Sequence, residues 1–220
     1  MVPKERRENQ WMVDIAHLLG DNAGVRSKAP APLPIIRSRL VGDLLALLAT
    51  HPDRWWTIAE VASHTGGAYT TVTREVRRLE EAGIVEAEEM GRSKRVHLNA
   101  GNPLYRPLSE LMLRAFGPVV VVREEFDGIP GVERVCIFGS WAARYEGEPG
   151  ASPNDIDVLV LGDPDRDRVH AAARGAEKRI GLPVNTTVRR VEDWEHADDA
   201  FARAVKGSSL VTAMRHSEES

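Results

Sequence analysis

Two aspartates one residue apart, Asp155 and Asp157, open the apolar run Val158-Leu159-Val160-Leu161, and a Gly139-Ser140 pair closes an earlier apolar run, Val135-Cys136-Ile137-Phe138. Side chains alternate between the two faces of a β-strand, so the carboxylates share one face while Ile156 turns into the core. Two carboxylates held side by side repel each other unless a cation neutralises them, and hard divalent ions such as Mg²⁺ prefer oxygen ligands of this kind. Gly139-Ser140 is placed to open a short helix over residues 140–144, whose first amides and flexible glycine suit a phosphate. Each motif alone has a plainer reading, a solvated strand end or a turn. In the order strand, Gly-Ser, short helix, Asp-x-Asp, strand, they point to a nucleoside triphosphate held with Mg²⁺.

The elements that would position these groups run from about Val132 to Trp194, and this stretch resembles the minimal nucleotidyltransferases of the DNA polymerase beta superfamily. The matching text is Phe138-Gly139-Ser140-Trp141-Ala142-Ala143-Arg144, followed by Asn154-Asp155-Ile156-Asp157-Val158-Leu159-Val160. The resemblance implies that Gly139, Ser140, Arg144 and Asn185 face the nucleotide. It also implies that Asp155 and Asp157 are the catalytic carboxylates and Mg²⁺ ligands, aligning an acceptor hydroxyl with the α-phosphate by two-metal logic. The chain departs from the family in three places. Its linker from Gly139 to Asp155 is longer and holds the loop-prone Gly147-Glu148-Pro149-Gly150-Ala151-Ser152-Pro153, and Asn154 stands where the family has serine. On a third strand, expected over residues 182–188, Asn185 stands where the family places its third carboxylate. An amide supplies neither the negative charge nor the general base of a carboxylate. The expectation is a domain that binds one Mg²⁺–nucleotide with transfer slow or absent; the alternative, which the resemblance leaves open together with a toxin–antitoxin relation, is an active Mg²⁺-dependent nucleotidyltransferase that uses an attached winged module for substrate targeting.

Upstream, Leu40, Leu44, Leu47 and Leu48 recur at helical spacing and His51-Pro52 ends the helix. Thr57-Ile58-Ala59-Glu60 has the form of a capping box that starts a second helix. After the turn Thr65-Gly66-Gly67, residues 69–82 place Val72, Val76 and Leu79 on one face of a third helix and polar or basic residues on the others. Residues 84–88 and 94–98 read as two strands joined around Gly91-Arg92-Ser93. Short helix, glycine turn, amphipathic helix and hairpin make up a winged helix-turn-helix, whose second helix enters the major groove. The stretch 58–98 resembles winged regulators of the ArsR and MarR type, above all in Thr71-Val72-Thr73-Arg74-Glu75-Val76-Arg77-Arg78-Leu79-Glu80-Glu81-Ala82-Gly83. As a whole, residues 38–194 look like bacterial proteins that fuse such a module to a nucleotidyltransferase-like domain.

That resemblance implies a face for double-stranded DNA. Tyr69, Thr70, Thr71 and Thr73 would begin the recognition helix, Arg74, Arg77 and Arg78 would grip phosphates or guanine, and Arg92, Lys94 and Arg95 would follow the minor groove. Residues 35–98 hold nine Lys and Arg against nine acids, so affinity must come from segregation of charge and not from its total. The plainer reading of the same arginines is a solvated helix face.

With 220 residues and a net charge of −4, the chain has room for two compact domains of α+β class. These are expected as an N-terminal winged helix-turn-helix over 35–103 and a small mixed-sheet α/β domain over 128–212, joined by helices over 104–127. Residues 1–34 carry a short amphipathic helix (Trp11, Ile15, Leu18, Leu19) and a Pro-rich linker, and 213–220 form a tail. No apolar run approaches membrane-spanning length, and nothing reads as a signal peptide. The one cysteine, Cys136, lies in a predicted core strand, so the expected compartment is the reducing cytoplasm. A further apolar stripe, Leu104, Leu108, Leu111, Met112 and Ala115, is expected at or near a homodimer interface, because winged regulators commonly read two half-sites.

Overall fold

A computed structural model of the chain describes residue 36 and residues 38–91 and 93–215. The chain divides into two units, residues 1–31 and 32–220, and every described residue belongs to the second. The helix expected around Trp11, the Pro-rich linker, Arg92 and the end of the tail lie outside the described residues.

The first half of the described chain builds a winged helix-turn-helix arrangement in the order α1 (Arg39–Thr50), β1 (Trp56–Thr57), α2 (Ile58–Thr65), α3 (Tyr69–Glu81), β2 (Val85–Met90) and β3 (Ser93–Leu98). The leucines of α1 turn inward, with Leu44, Leu45, Leu47 and Leu48 buried. Thr57 starts α2 by a reciprocal cap: its hydroxyl accepts from the Glu60 amide at 3.2 Å while its own amide donates to the Glu60 carboxylate at 2.8 Å. Burial pushes the Glu60 carboxyl up, but the bonds from Thr57 and Arg54 outweigh it and hold the group below its ordinary range. The strands pair in the order β1-β3-β2, and β2 and β3 stay paired out to Met90 and Ser93. The hairpin is therefore longer than the sequence suggests, because a two-residue connection lets the ladder run to its tip.

Of residues 104–127, α4 (Tyr105–Phe116) sends Met112 and Phe116 into the winged-helix core beside Leu44, Trp56, Val72 and Val96. The next helix, α5 (Pro118–Phe126), sends Val121, Val122 and Phe126 into the core of the second half. That half continues as β4 (Val132–Phe138), α6 (Gly139–Tyr145), β5 (Ile156–Gly162), α7 (Arg166–Ile180), β6 (Val184–Arg189), α8 (Val191–His196), α9 (Ala200–Lys206) and β7 (Val211–Arg215). Its sheet has the order β6-β5-β4-β7. Only β5 and β6 run parallel, and α7 is the crossover that such a pair requires.

Both sheet faces are covered, which is why β5 reads as a continuous apolar run. Ile156, Val158 and Val160 pack with Val169, Ala173, Ala176 and Ile180 of α7. Leu159 and Leu161 join Cys136, Trp194, Ala202 and Val205 on the other face. Cys136 is a buried free thiol, pushed up by burial. No described helix is long and apolar enough to cross a membrane.

The two halves meet along α1, α2, α5 and α7. Glu124 of α5 accepts a two-pronged bond from Arg39 of α1 (2.9 and 2.7 Å) and one from Arg179 of α7 (2.7 Å), which also reaches Glu125 at 2.8 Å. His51 bonds the Ile180 carbonyl through Nε2 at 2.8 Å, and His64 bonds the Lys178 carbonyl through Nδ1 at 2.5 Å. Both therefore use free carbonyls at the C-terminus of α7, where a helix lacks its own donors. Between them lies Trp56, with ring centroids 4.9 Å from His51 and 5.0 Å from His64. Gly181 closes α7 in the left-handed conformation (φ +79°), and a Cβ there would come within 3.0 Å of both His51 Nε2 and the Trp56 ring. A glycine is needed for the backbone angle and for the space.

This joint carries a pH dependence. Burial holds His51 below its ordinary value of 6.5, the Arg54 and His64 charges push the same way, and the bond to Ile180 offsets them in part. An imidazole depressed on folding takes its proton in the unfolded chain first. Its stabilisation is complete above about pH 6.5 and is lost as pH falls from there toward the folded value. Denaturant midpoints should drop between about pH 7.5 and 5.5, and His51→Gln should flatten that drop. An equal slope in the variant excludes His51 as its source.

Candidate functional site

On α3, Val72 and Val76 are fully buried and Leu79 packs beside them, so the helix shows its other side to solvent. Tyr69, Thr70 and Thr73 are exposed there and Thr71 is half-buried. The Thr73 hydroxyl donates to the Tyr69 carbonyl at 2.8 Å. Arg74, Arg77 and Arg78 keep 68%, 77% and 71% of their side-chain surface exposed. Glu75, only 13% exposed, lies 3.7 Å from Arg74 and 3.0 Å from Arg78, and Glu81 takes Arg77 at 2.9 Å. Surface pairs of this kind contribute about 0–1 kcal/mol each, so phosphates can replace them.

The bases of the wing are held differently. Lys94 reaches across to Glu80 at the end of α3 at 2.6 Å. Arg95 pairs with Glu88, its cross-strand partner, and its guanidinium lies 5.1 Å from the Trp55 ring centroid. Both are partly buried, in contrast to the helix arginines. Arg92 lies outside the described residues.

The second cluster is built by three strands in register. Phe138 of β4 is opposite Asp157 of β5, and Asp157 is opposite Asn185 of β6. Ile156 is fully buried and Asp155 and Asp157 are half-buried, as strand alternation requires. Both carboxylates meet one amide: Asn185 Nδ2 donates to Asp155 at 3.0 Å and to Asp157 at 3.4 Å. Gly139 turns the chain against this pair with φ +76°, and a Cβ there would lie 2.7 Å from Asp157 Oδ2. Burial first, and the Asp155 charge beside it, push the Asp157 carboxyl up, while the Asn185 bond pulls it down. Ser140 is exposed in the first turn of α6. Arg144, near the other end of that helix, lines a separate cleft against α4 and makes no hydrogen bond to either carboxylate.

These residues fit one oxygen-preferring cation and not two. The donor set is two half-buried carboxylates, one of them pushed up by burial and by the other's charge, and Mg²⁺ is commonly held by one or two carboxylates plus phosphate oxygens. Among the described residues no group of three His, Cys, Asp or Glu side chains gathers around a possible metal. Glu192 of α8, the acid nearest Asn185 in sequence, lines a crevice with Gly162 and Asp163 at the far end of β5. Asp199 is engaged by the Ala202 amide and Arg189.

A methyl group at Gly139 tests this geometry. Gly139→Ala combines left-handed strain of about 1–2 kcal/mol with a collision on Asp157, so Tm should fall by roughly 2–8 °C. A Tm equal to wild type would mean that the Gly139 turn does not press on Asp157.

Sequence reasoning missed the acids that hold the basic residues, although Glu75–Arg78 and Arg77–Glu81 stand at helical pairing distance. It also missed His51, His64 and Trp56, whose partners lie in α7 far along the chain.

Residues 41–102 match the family described as HVO_A0114. No curated relative matches the chain. Among solved structures, a Lactococcus lactis ZitR variant is 15% identical, covering 52% of this chain and 76% of its own, with a TM-score of 0.31. Wild-type L. lactis ZitR in complex with DNA is 14% identical, with coverages of 52% and 76% and a TM-score of 0.31. A MepR mutant from a multidrug-resistant S. aureus clinical isolate is 18% identical, with coverages of 51% and 75% and a TM-score of 0.33.

Proposed function

We propose that this chain is a DNA-binding transcriptional regulator whose C-terminal domain is nucleotidyltransferase-like and takes a Mg²⁺–nucleotide without transferring it. The observation that carries the DNA reading is the exposed arginine face of α3, backed by buried Val72 and Val76 and flanked by the wing. Arg74 and Arg78 reach phosphates or guanine, Tyr69, Thr70 and Thr71 lie toward the helix start where base edges come nearest, and the wing follows the adjacent backbone. Leu104 and Leu111, exposed at α4, suit a twin subunit that brings two such helices to successive half-sites.

At the second site Asp155 and Asp157 would hold the cation, and Asn185 would turn its amide to offer oxygen in place of nitrogen. A bound Mg²⁺ would neutralise the pair and bridge it to phosphate oxygens. Asn185 is the reason for placing binding ahead of catalysis, since it occupies the position from which a carboxylate would draw a proton from an acceptor.

Two measurements test the reading. Selection from randomised duplexes should enrich a discrete sequence whose binding weakens with added salt; no enrichment at low salt overturns the DNA assignment. Incubation with Mg²⁺, labelled triphosphates and candidate acceptors should retain label without transferring it, and Asp155→Ala should abolish retention. Transfer that disappears in Asp155→Ala replaces the regulator with a transferase that uses its winged module for targeting.

A further inference from the structure

We propose that the exposed ridge of α7 is a second DNA-contacting surface, which grips the phosphate backbone flanking the site read by α3. This surface presupposes the DNA reading above and extends it to a helix of the C-terminal half.

Arg166, His170, Arg174 and Lys178 recur every fourth position along α7. Residues four apart on a helix lie one above the other, so the four form a continuous row about 18 Å long. All four are exposed. The row cannot turn inward, because the opposite side of the helix, with Val169, Ala173, Ala176 and Ile180, is buried in the sheet core. Arg179, the residue after the row, is taken by Glu124 and Glu125 and ties α7 to α5, so the ridge is held in place.

The ridge differs in charge from the other helices. Arg39, Arg77, Arg78 and Arg114 each meet an acid three or four positions away. Among the described residues none of the four ridge bases meets one. Glu177 stands three positions from Arg174, but its carboxylate accepts the Val184 amide at 3.4 Å. Asp165 accepts the amides of Asp167 and Arg168 instead. The chain as a whole carries a net charge of −4, so this row is a local segregation and not part of a general excess of bases. Unneutralised bases in a line suit a polyanion of regular spacing. A duplex presents one charge about every 1.7 Å, and about 18 Å corresponds to roughly half a helical turn of it.

The ridge also ends beside the reader. The Lys178 carbonyl takes the bond from His64, and Lys178 lines one crevice with His64, Thr65 and Gly66, which end α2 and turn the chain toward α3. Only Gly67 and Ala68 then precede Tyr69, the first residue of α3. A duplex seated on the start of α3 therefore meets Lys178 first and Arg174 next, with His170 and Arg166 farther out. Contacts of this kind fix position and add affinity without reading bases.

The test measures binding of the full chain to the selected duplex, carrying about ten base pairs of flank on each side, over a range of salt. Arg166→Gln, Arg174→Gln and Lys178→Gln together should make the dependence of log Kd on log salt shallower by about 2–3 and weaken binding at low salt by about tenfold or more. The preferred sequence should not change. Arg168→Gln removes an exposed charge roughly 200° around the helix from Arg166, and it should keep the wild-type slope. Trimming the flanks should bring wild type down to the triple variant. A wild-type slope in the triple variant, with specific binding intact, overturns the ridge and leaves the DNA reading standing, whereas failure to select any duplex overturns both. The ridge also falls if Arg168→Gln flattens the slope as much as each ridge charge does, because net charge would then suffice. It falls as well if the triple variant loses poly-L-glutamate and not DNA, because the partner would then be an acidic protein.

Discussion

Replacing Arg74 and Arg78 together with alanine should reduce sequence-specific DNA affinity by about a hundredfold or more, at about 1–3 kcal/mol for each guanidinium contact. The two side chains leave the same exposed face of α3 and share one acid, Glu75, which is itself largely covered. Glu75 therefore aims both guanidinium groups as well as partly neutralising them. Exchange of a surface ion pair for a phosphate or a guanine edge loses little, so removing the arginines should register nearly in full. Lys94→Ala with Arg95→Ala should have a smaller effect. Each of those bases is partly buried and engaged by an acid of its own module, Glu80 or Glu88. Fluorescence anisotropy on the selected duplex, at several salt concentrations, separates the cases. Equal losses from the helix pair and the wing pair would show that the helix is not the principal reader. Retention of specific binding in the helix double variant would remove α3 from the interface.

The difference between helix and wing also shows which features could be read in the sequence. The apolar periodicity of α1 and α3 and the cap at Thr57 depend on residues within a few positions of one another, and these elements lie close to where the pattern puts them. The place of Asn185 was legible only through the resemblance, which set it at the third carboxylate's position; its own strand, Val184–Arg189, is too polar to fix a register by itself, and its pairing opposite Asp157 comes from the fold. Longer-range partners were not legible. Nothing near Lys94 announces Glu80, and nothing near His51 announces the end of α7, because the first contact needs the wing strand folded back on α3 and the second needs α7 packed against the winged-helix half. The assignment of 104–127 to connecting helices hid a division of labour for the same reason. Both helices are amphipathic, but α4 serves the winged-helix core and α5 the sheet core.

The largest effect on stability should come from Trp56→Ala. Trp56 is completely buried among Leu44, Ile58, Val61 and Val96, with the Arg54 guanidinium 3.6 Å from its ring centroid. Truncating a buried tryptophan typically costs about 3–5 kcal/mol, because neighbours relax only partly into the cavity. For a chain of this size that lowers Tm by roughly 10 °C. The position makes the loss broader than one core, because the same ring separates His51 from His64, which bond the C-terminus of α7, and meets Gly181 where α7 ends. From Gly181 only Leu182 and Pro183 precede β6, whose second residue is Asn185. Trp56→Ala should therefore loosen the contact between the two halves as well as the core beneath α3. Amide hydrogen exchange should show lost protection in residues 177–185 as well as in the winged-helix core. Trp56→Phe, which keeps most of the buried surface, should lose much less Tm. If Trp56→Ala instead lowers Tm by less than about 2 °C, or its exchange effect stops at the winged-helix core, the ring does not couple the halves, and His51 and His64 must hold α7 without it.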